Sequence, residues 1–255
     1  MLGAIAGDII GSVHEAAGTK TTDFPLFVPE SRYTDDTVLT VAVADALMSD
    51  GNYVDNFHDY FYAHPYAGFG ITFFNWAHRR IREPYGSWGN GSAMRVSPVA
   101  YAFDSLDEVL AAARASAVVT HNHPHGIAGA QATAAAIYLA RTGATKHQIR
   151  SYISEKFEYA LNGTVEVIRP TYQFDVSCQG SVPQSIIAFL DSDCYESAIR
   201  NAISLGGDAD TMACIAGGIA EAFYGGTPAT IAEATLERLP IGLRDITLEF
   251  VDQYM

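Results

Sequence analysis

Two short stretches limit what this chain can become. Tyr33-Thr34-Asp35-Asp36-Thr37 and Gly206-Gly207-Asp208-Ala209-Asp210-Thr211 each place two carboxylates beside a threonine hydroxyl. Each opens a run of small and apolar residues, Val38 to Met48 in the first case and Met212 to Tyr224 in the second. Such runs read as helices deep in a core, so the acids would stand at the mouths of buried helices. Carboxylates there are costly to desolvate unless something neutralises them. No lysine or arginine lies within either cluster, and a helix N-terminus offers only partial positive charge. A hard divalent cation, Mg²⁺, Mn²⁺ or Ca²⁺, would supply the balance. One cluster alone would read as an ordinary helix cap. Two of them shift the reading toward metal binding and admit a pair of ions.

The remaining bulk properties narrow the setting. At 255 residues, 49% of them hydrophobic, the chain can bury a large core. The formal net charge of −14 argues against a general nucleic-acid backbone binder and against an anionic membrane surface. It leaves room for a phosphate-bearing small ligand, which backbone N–H groups and a metal can hold. Cys178, Cys194 and Cys214 form no CxxC pair and no disulfide framework. A reducing, cytoplasmic setting is therefore expected. The N-terminal segment lacks a basic stretch, and Asp8 interrupts its apolar run, so it does not read as a signal peptide. A monomer is expected.

In chain order, residues 2–12 read as a helix. Its glycines at positions 3, 7 and 11 share one face and permit close helix contact. Helices are also expected over 55–63, 71–82, 107–119, 126–141, 146–160, 184–190, 194–205, 227–238 and 242–254. Residues 18–33 read as a loop. Pro84 to Ser92 carries three glycines and cannot be a helix interior, so it suits a loop whose backbone approaches a ligand. It is not a P-loop, since no Gly-Lys-Ser/Thr follows. Thr120-His121-Asn122-His123-Pro124-His125 holds three histidines without partners at zinc spacing, so one ligand-facing histidine is the more modest reading. Residues 163–183 read as irregular or as a short strand near Thr164–Ile168. The inventory is about ten helices with few strands, a single all-α domain over residues 1–255.

Five motifs together resemble the ADP-ribosylglycohydrolase family, the group containing the dinitrogenase-reductase-activating glycohydrolase. They are Gly3-Ala4-Ile5-Ala6-Gly7-Asp8, Tyr33 to Thr37, Gly89-Asn90-Gly91-Ser92-Ala93-Met94-Arg95, Thr120-His121 and Gly206 to Thr211, and they span nearly the whole chain in the family's order. The resemblance implies a compact multi-helix fold and a site with two Mg or Mn ions. It implies Thr34, Asp35, Asp36, Asp208, Asp210 and Thr211 as metal ligands. Glu15 falls where the family has a glutamate at the entrance of the site. Gly89, Asn90, Gly91, Ser92, Ala93, Met94, Arg95 and His121 would contact ADP-ribose. The implied reaction is glycoside hydrolysis at the distal ribose, with Glu15, Asp35 and Asp36 as candidate proton-transfer groups. The expected substrate is an ADP-ribosylated protein, arginine-linked by preference, with serine-linked or O-acyl-ADP-ribose as the alternatives.

Two rivals remain open to test. Asp208-Ala209-Asp210-Thr211 matches the DxDxT of haloacid-dehalogenase-like phosphatases, but that motif should follow a strand near the start of an α/β domain. A non-catalytic ADP-ribose-binding module of the same fold is the other.

Overall fold

The computed structural model describes residues 1–49 and 51–255. Among the described residues there are fifteen helices and one isolated β-bridge, between Gly89 and Ser177. The all-α expectation therefore holds. The phosphatase reading loses its basis, because Asp208 precedes a helix in a chain with no named strand among those residues.

The first half contains α1 (Leu2–Gly11), α2 (Asp35–Met48), α3 (Tyr53–Ala63), α4 (Ile71–His78), α5 (Gly91–Met94), α6 (Val99–Ala102) and α7 (Leu106–Val118). The second contains α8 (Pro124–Arg141), α9 (Lys146–Phe157), α10 (Val165–Ile168), α11 (Cys178–Leu190), α12 (Tyr195–Ile203), α13 (Ala209–Tyr224), α14 (Ala229–Leu236) and α15 (Ile241–Tyr254). The excess over about ten helices comes partly from α5, α6 and α10, each a single turn of four residues.

Local chemistry sets most boundaries. Thr34 caps α2 by accepting the Asp36 N–H, and Thr145 with Gln148 forms a capping box on α9. The helix expected over 71–82 stops at His78, and Arg80 adopts a left-handed φ of 48°. The one expected over 146–160 stops at Phe157, where Glu158 turns left-handed at φ 59°. Residues 163–183 differ most from expectation. Thr164 caps the turn α10 instead of starting a strand, and α11 begins at Cys178, six residues before the expected start. Pro183 reads as a breaker yet sits inside α11. A proline removes one backbone donor, and burial of Ser181, Val182 and Pro183 offsets that loss.

The core centres on α13, whose residues Ala209 to Glu221 are all buried. The glycine face of α1 lies directly against it. A Cβ on Gly7 would stand 2.1 Å from the Ala213 carbonyl oxygen, and one on Gly11 2.5 Å from Asp210 Cα. Only a bare backbone permits that approach. This contact brings Asp8, near the end of α1, to the N-terminus of α13.

Candidate active site

Three helix ends meet beside one cavity, Asp8, Thr34 and Thr37 lying behind its lining. Asp8 comes from α1, Thr34 to Thr37 from the start of α2, and Asp208 to Thr211 from the start of α13. Gly206 has φ +65°, a left-handed turn open to glycine, and it redirects the chain from α12 into Asp208. The cavity measures about 330 Å³. Its floor is acidic: Glu15, Asp35, Asp36, Asp208 and Asp210 border it, with Thr211 beside them.

The carboxylates fall into two groups. Ligand atoms of Asp8, Asp36 and Asp210 lie within 4.8 Å of one another, as do those of Glu15, Asp208 and Asp210. Asp210 belongs to both, so the two groups are adjacent. No lysine or arginine ion pair with any of these acids occurs among the described residues. Burial, then the nearby Asp210 charge, pushes the Asp8 carboxyl up to about 7. The same two causes hold Asp35, Asp36 and Asp208 well above the usual carboxylate range and raise Glu15. Asp36 Oδ1 is buried without a hydrogen-bond partner among the described residues. A shared all-oxygen donor set, crowded negative charge and an orphaned carboxylate oxygen together fit a pair of hard divalent cations.

Asp8 is the residue that sequence reading missed as a site member. Its Oδ1 accepts from Thr34 Oγ1 at 2.7 Å, and its Oδ2 accepts from the backbone N–H of Thr34 at 3.0 Å and of Thr37 at 3.1 Å, and from Thr37 Oγ1. It thus clamps the N-terminus of α2 from a different helix. The signal was present: it is the one acid in an otherwise small and apolar helix, and it is fully buried. A buried carboxylate needs partners. Thr34, expected as a metal ligand, spends its hydroxyl hydrogen on Asp8 while accepting the Asp36 N–H at 3.2 Å. Asp35 borders the cavity but lies outside both carboxylate groups. Thr211 Oγ1 donates to Asp36 Oδ2 at 3.3 Å.

The opposite wall is the glycine-rich loop with His121. Gly89, Asn90, Gly91, Met94, Arg95 and His121 border the cavity. Ser92 and Ala93 do not: Ala93 is fully buried, and Ser92 Oγ donates to the Gly126 carbonyl at 2.7 Å. The loop's backbone donors are only partly free. Gly89 N–H donates to Ser87 Oγ and Asn90 N–H to the Val176 carbonyl, whereas Gly91 and Ser92 N–H have no acceptor among the described residues. Cys178 anchors the loop, its N–H donating to Trp88 O at 2.9 Å and its thiol to Gly89 O at 3.1 Å. Burial pushes that thiol up to about 12, so it stays protonated and donates. Asn90 Nδ2 joins the two walls, donating to Ser181 Oγ at 3.1 Å and to Asp208 Oδ2 at 2.7 Å. His123 and His125 lie away from this cavity, beside Trp88.

Comparison with known proteins agrees with this architecture. The family model described as ADP-ribosylglycohydrolase matches residues 1–254. The chain is similar to ADP-ribosylhydrolase ARH3 of Mus musculus, at 28% identity over 88% of this chain and 82% of that protein. It is similar to the human ARH3 at 29% identity over 88% of this chain and 84% of that protein. It also resembles ADP-ribosylarginine hydrolase Tri1 of Pseudomonas putida (strain GB-1), at 25% identity over 88% of this chain and 69% of that protein. A solved ADP-ribosylglycohydrolase-related protein complex shares the fold, with a TM-score of 0.69 at 22% identity over 100% of this chain and 97% of that one.

Proposed function

The chain belongs to the ADP-ribosylglycohydrolase family of enzymes, and from that premise we propose that it is a divalent-metal-dependent hydrolase removing ADP-ribose from modified protein side chains, arginine-linked ones by preference. One observation carries the metal dependence: two carboxylate triads share Asp210 at the cavity floor, and no lysine or arginine is ion-paired with them among the described residues. Asp36, Asp208 and Asp210, with Thr211 and Asp8 beside them, would hold two Mg²⁺ or Mn²⁺ ions. When bound, such ions supply Lewis acidity and a grip on vicinal ribose hydroxyls.

The chain's own groups divide the remaining work by exposure. Glu15 is exposed and Asp35 half-buried, while Asp36 is 2% exposed. Glu15 and Asp35 are therefore the carboxyls free to exchange protons at the cavity mouth. One takes a proton from the attacking water and returns it to the departing side-chain atom, and the other steadies the oxocarbenium-like charge that develops as the C1″ bond to the side chain breaks. Burial and the Asp210 charge raise both carboxyls above their ordinary range, which favours a proton-carrying role. Asp36 is committed to the cation. Gly91 N–H and His121 offer uncharged donors to the diphosphate, which explains how so acidic a protein accepts an anion.

The arginine preference draws on the name of the Pseudomonas relative and on the acidic mouth at Glu15 and Asp35, which complements a guanidinium. The test is ADP-ribose release from matched arginine- and serine-linked peptides with Mg²⁺, Mn²⁺ or EDTA. Metal-dependent release from the arginine peptide is expected. Release from the serine peptide alone would overturn the linkage, and binding of ADP-ribose with no release from either would favour a binding module.

A further inference from the structure

Arg95 presents a problem that the functional reading leaves unsolved. It is fully buried, and no carboxylate pairs with it among the described residues. Its guanidinium lies over the Phe57 ring at 4.3 Å. Its Nη2 donates to the Ser116 carbonyl and to Thr120 Oγ1, both at 2.8 Å. Thr120 Oγ1 in turn lies 2.8 Å from His121 Nδ1. Burial, then the Arg95 charge, holds the His121 imidazole well below its usual pKa, so the ring is neutral and carries one proton.

The donor count decides where that proton sits. A guanidinium can only donate, so Thr120 Oγ1 must accept from Arg95. Thr120 is fully buried, and its side-chain hydrogen bonds run to Arg95 Nη2 and His121 Nδ1. The threonine hydroxyl hydrogen then has one recorded acceptor, His121 Nδ1. Nδ1 is occupied as an acceptor and Nε2 carries the ring proton. Nε2 faces the glycine loop: a Cβ on Gly91 would stand 3.3 Å from it and one on Gly89 3.7 Å. The two glycines leave that edge uncovered on the cavity side.

We propose that Arg95 and Thr120 are positioning residues, and that their chain of hydrogen bonds locks His121 as a neutral Nε2–H donor aimed at an anionic oxygen of the ligand. This deepens the ADP-ribose reading and rests on it for the ligand's identity. The arginine acts on the ligand through Thr120 and His121, and because it also borders the cavity with Nε and Nη1 unpartnered among the described residues, the expected contact with ADP-ribose stands beside this role. An uncharged donor with a fixed tautomer loses no orientation when the ligand arrives, which is the benefit of a preorganised site.

The test has two readouts. Long-range ¹H–¹⁵N correlation on histidine-labelled, ligand-free protein reports the tautomer, with His121→Gln assigning the signal. Wild type is expected to show protonated Nε2 and bare Nδ1. Thr120→Val should move the proton to Nδ1 or mix the two forms, and weaken ADP-ribose binding by about tenfold while kcat changes less. Thr120→Ser should restore both the tautomer and the affinity. A wild-type ring protonated at Nδ1, or a Thr120→Val protein with wild-type tautomer and affinity, would overturn the proposal. If Thr120→Val fails to fold, the wild-type and Thr120→Ser spectra still decide the tautomer. Failure of wild type to bind ADP-ribose would sink the functional reading instead, and the ligand-free spectra would judge the hydrogen-bond chain separately.

Discussion

The two walls of the cavity leave opposite charges unmatched. The floor built by α1, α2 and α13 gathers Asp8, Asp36, Asp208 and Asp210 with no basic partner. The facing wall buries Arg95 with no acidic partner, and its histidine is neutral. They do not neutralise one another, although Asn90 bridges them with an amide at 2.7 Å from Asp208. A cavity that needed only to be stable would pair these charges or remove them. Keeping them apart leaves the floor able to attract cations and leaves the facing wall able to receive an anion without repelling those cations. A metal–diphosphate ligand has this polarity.

The largest expected effect breaks the floor. Asp36→Asn removes one carboxylate from a triad while keeping its shape, and turnover of the ADP-ribosylated peptide should fall by a factor on the order of 10³ or more. Activity within tenfold of wild type would mean that Asp36 holds no essential cation.

A second experiment separates the walls by pH. A carboxyl whose folded pKa is raised keeps its proton in the folded chain where the unfolded chain has lost it. Stability from Asp8 is therefore present below pH 4 and drains away as pH rises through about 7. The raised Asp36 and Asp208 act in the same direction. Metal-free protein should lose on the order of a few kcal/mol between pH 5 and 8, read as a falling urea midpoint, and Mn²⁺ should flatten the slope. The facing wall works the other way: His121 stays neutral in the folded chain while the unfolded imidazole takes up a proton below its ordinary pKa, so its contribution grows as pH rises and partly offsets the floor's loss. Arg95 stays charged, its pKa lowered only to about 10. A pH-independent midpoint in EDTA would contradict the unneutralised floor.

The smallest effect concerns the bridge. Asn90→Ala removes the amide between the walls and should cost about 1–2 kcal/mol of unfolding free energy. Metal affinity should weaken at the same time, because Asp208 loses the hydrogen bond that orients it. An unchanged affinity would mean that the floor is self-sufficient.

The two walls also differ in how far the sequence revealed them. Acid clusters at helix starts and a glycine-rich loop are contiguous signals, so Asp35, Asp36, Asp208, Asp210 and the Gly89–Gly91 segment could be read directly. Asp8 stood out only as the lone acid of an apolar helix, because its partners Thr34 and Thr37 lie 26 and 29 positions away and meet it only in the folded chain. Arg95 was visible as part of a motif, but its burial was not, since it is the C-cap of a four-residue helix and local sequence does not report which side of so short a turn the core will cover. Its role depends on Thr120, 25 residues later. The early start of α11 was hidden by Pro183, because propensity registers the lost donor and not the burial that offsets it.

The most direct test of the whole account is a calorimetric titration of Mn²⁺ into metal-free wild type and Asp210→Ala, with circular dichroism confirming that both are folded. Asp210 belongs to both carboxylate groups, so the account predicts two ions per wild-type chain and the loss of measurable binding at both sites in the variant. Wild type that binds no Mn²⁺, or a variant that binds as tightly as wild type, would contradict it.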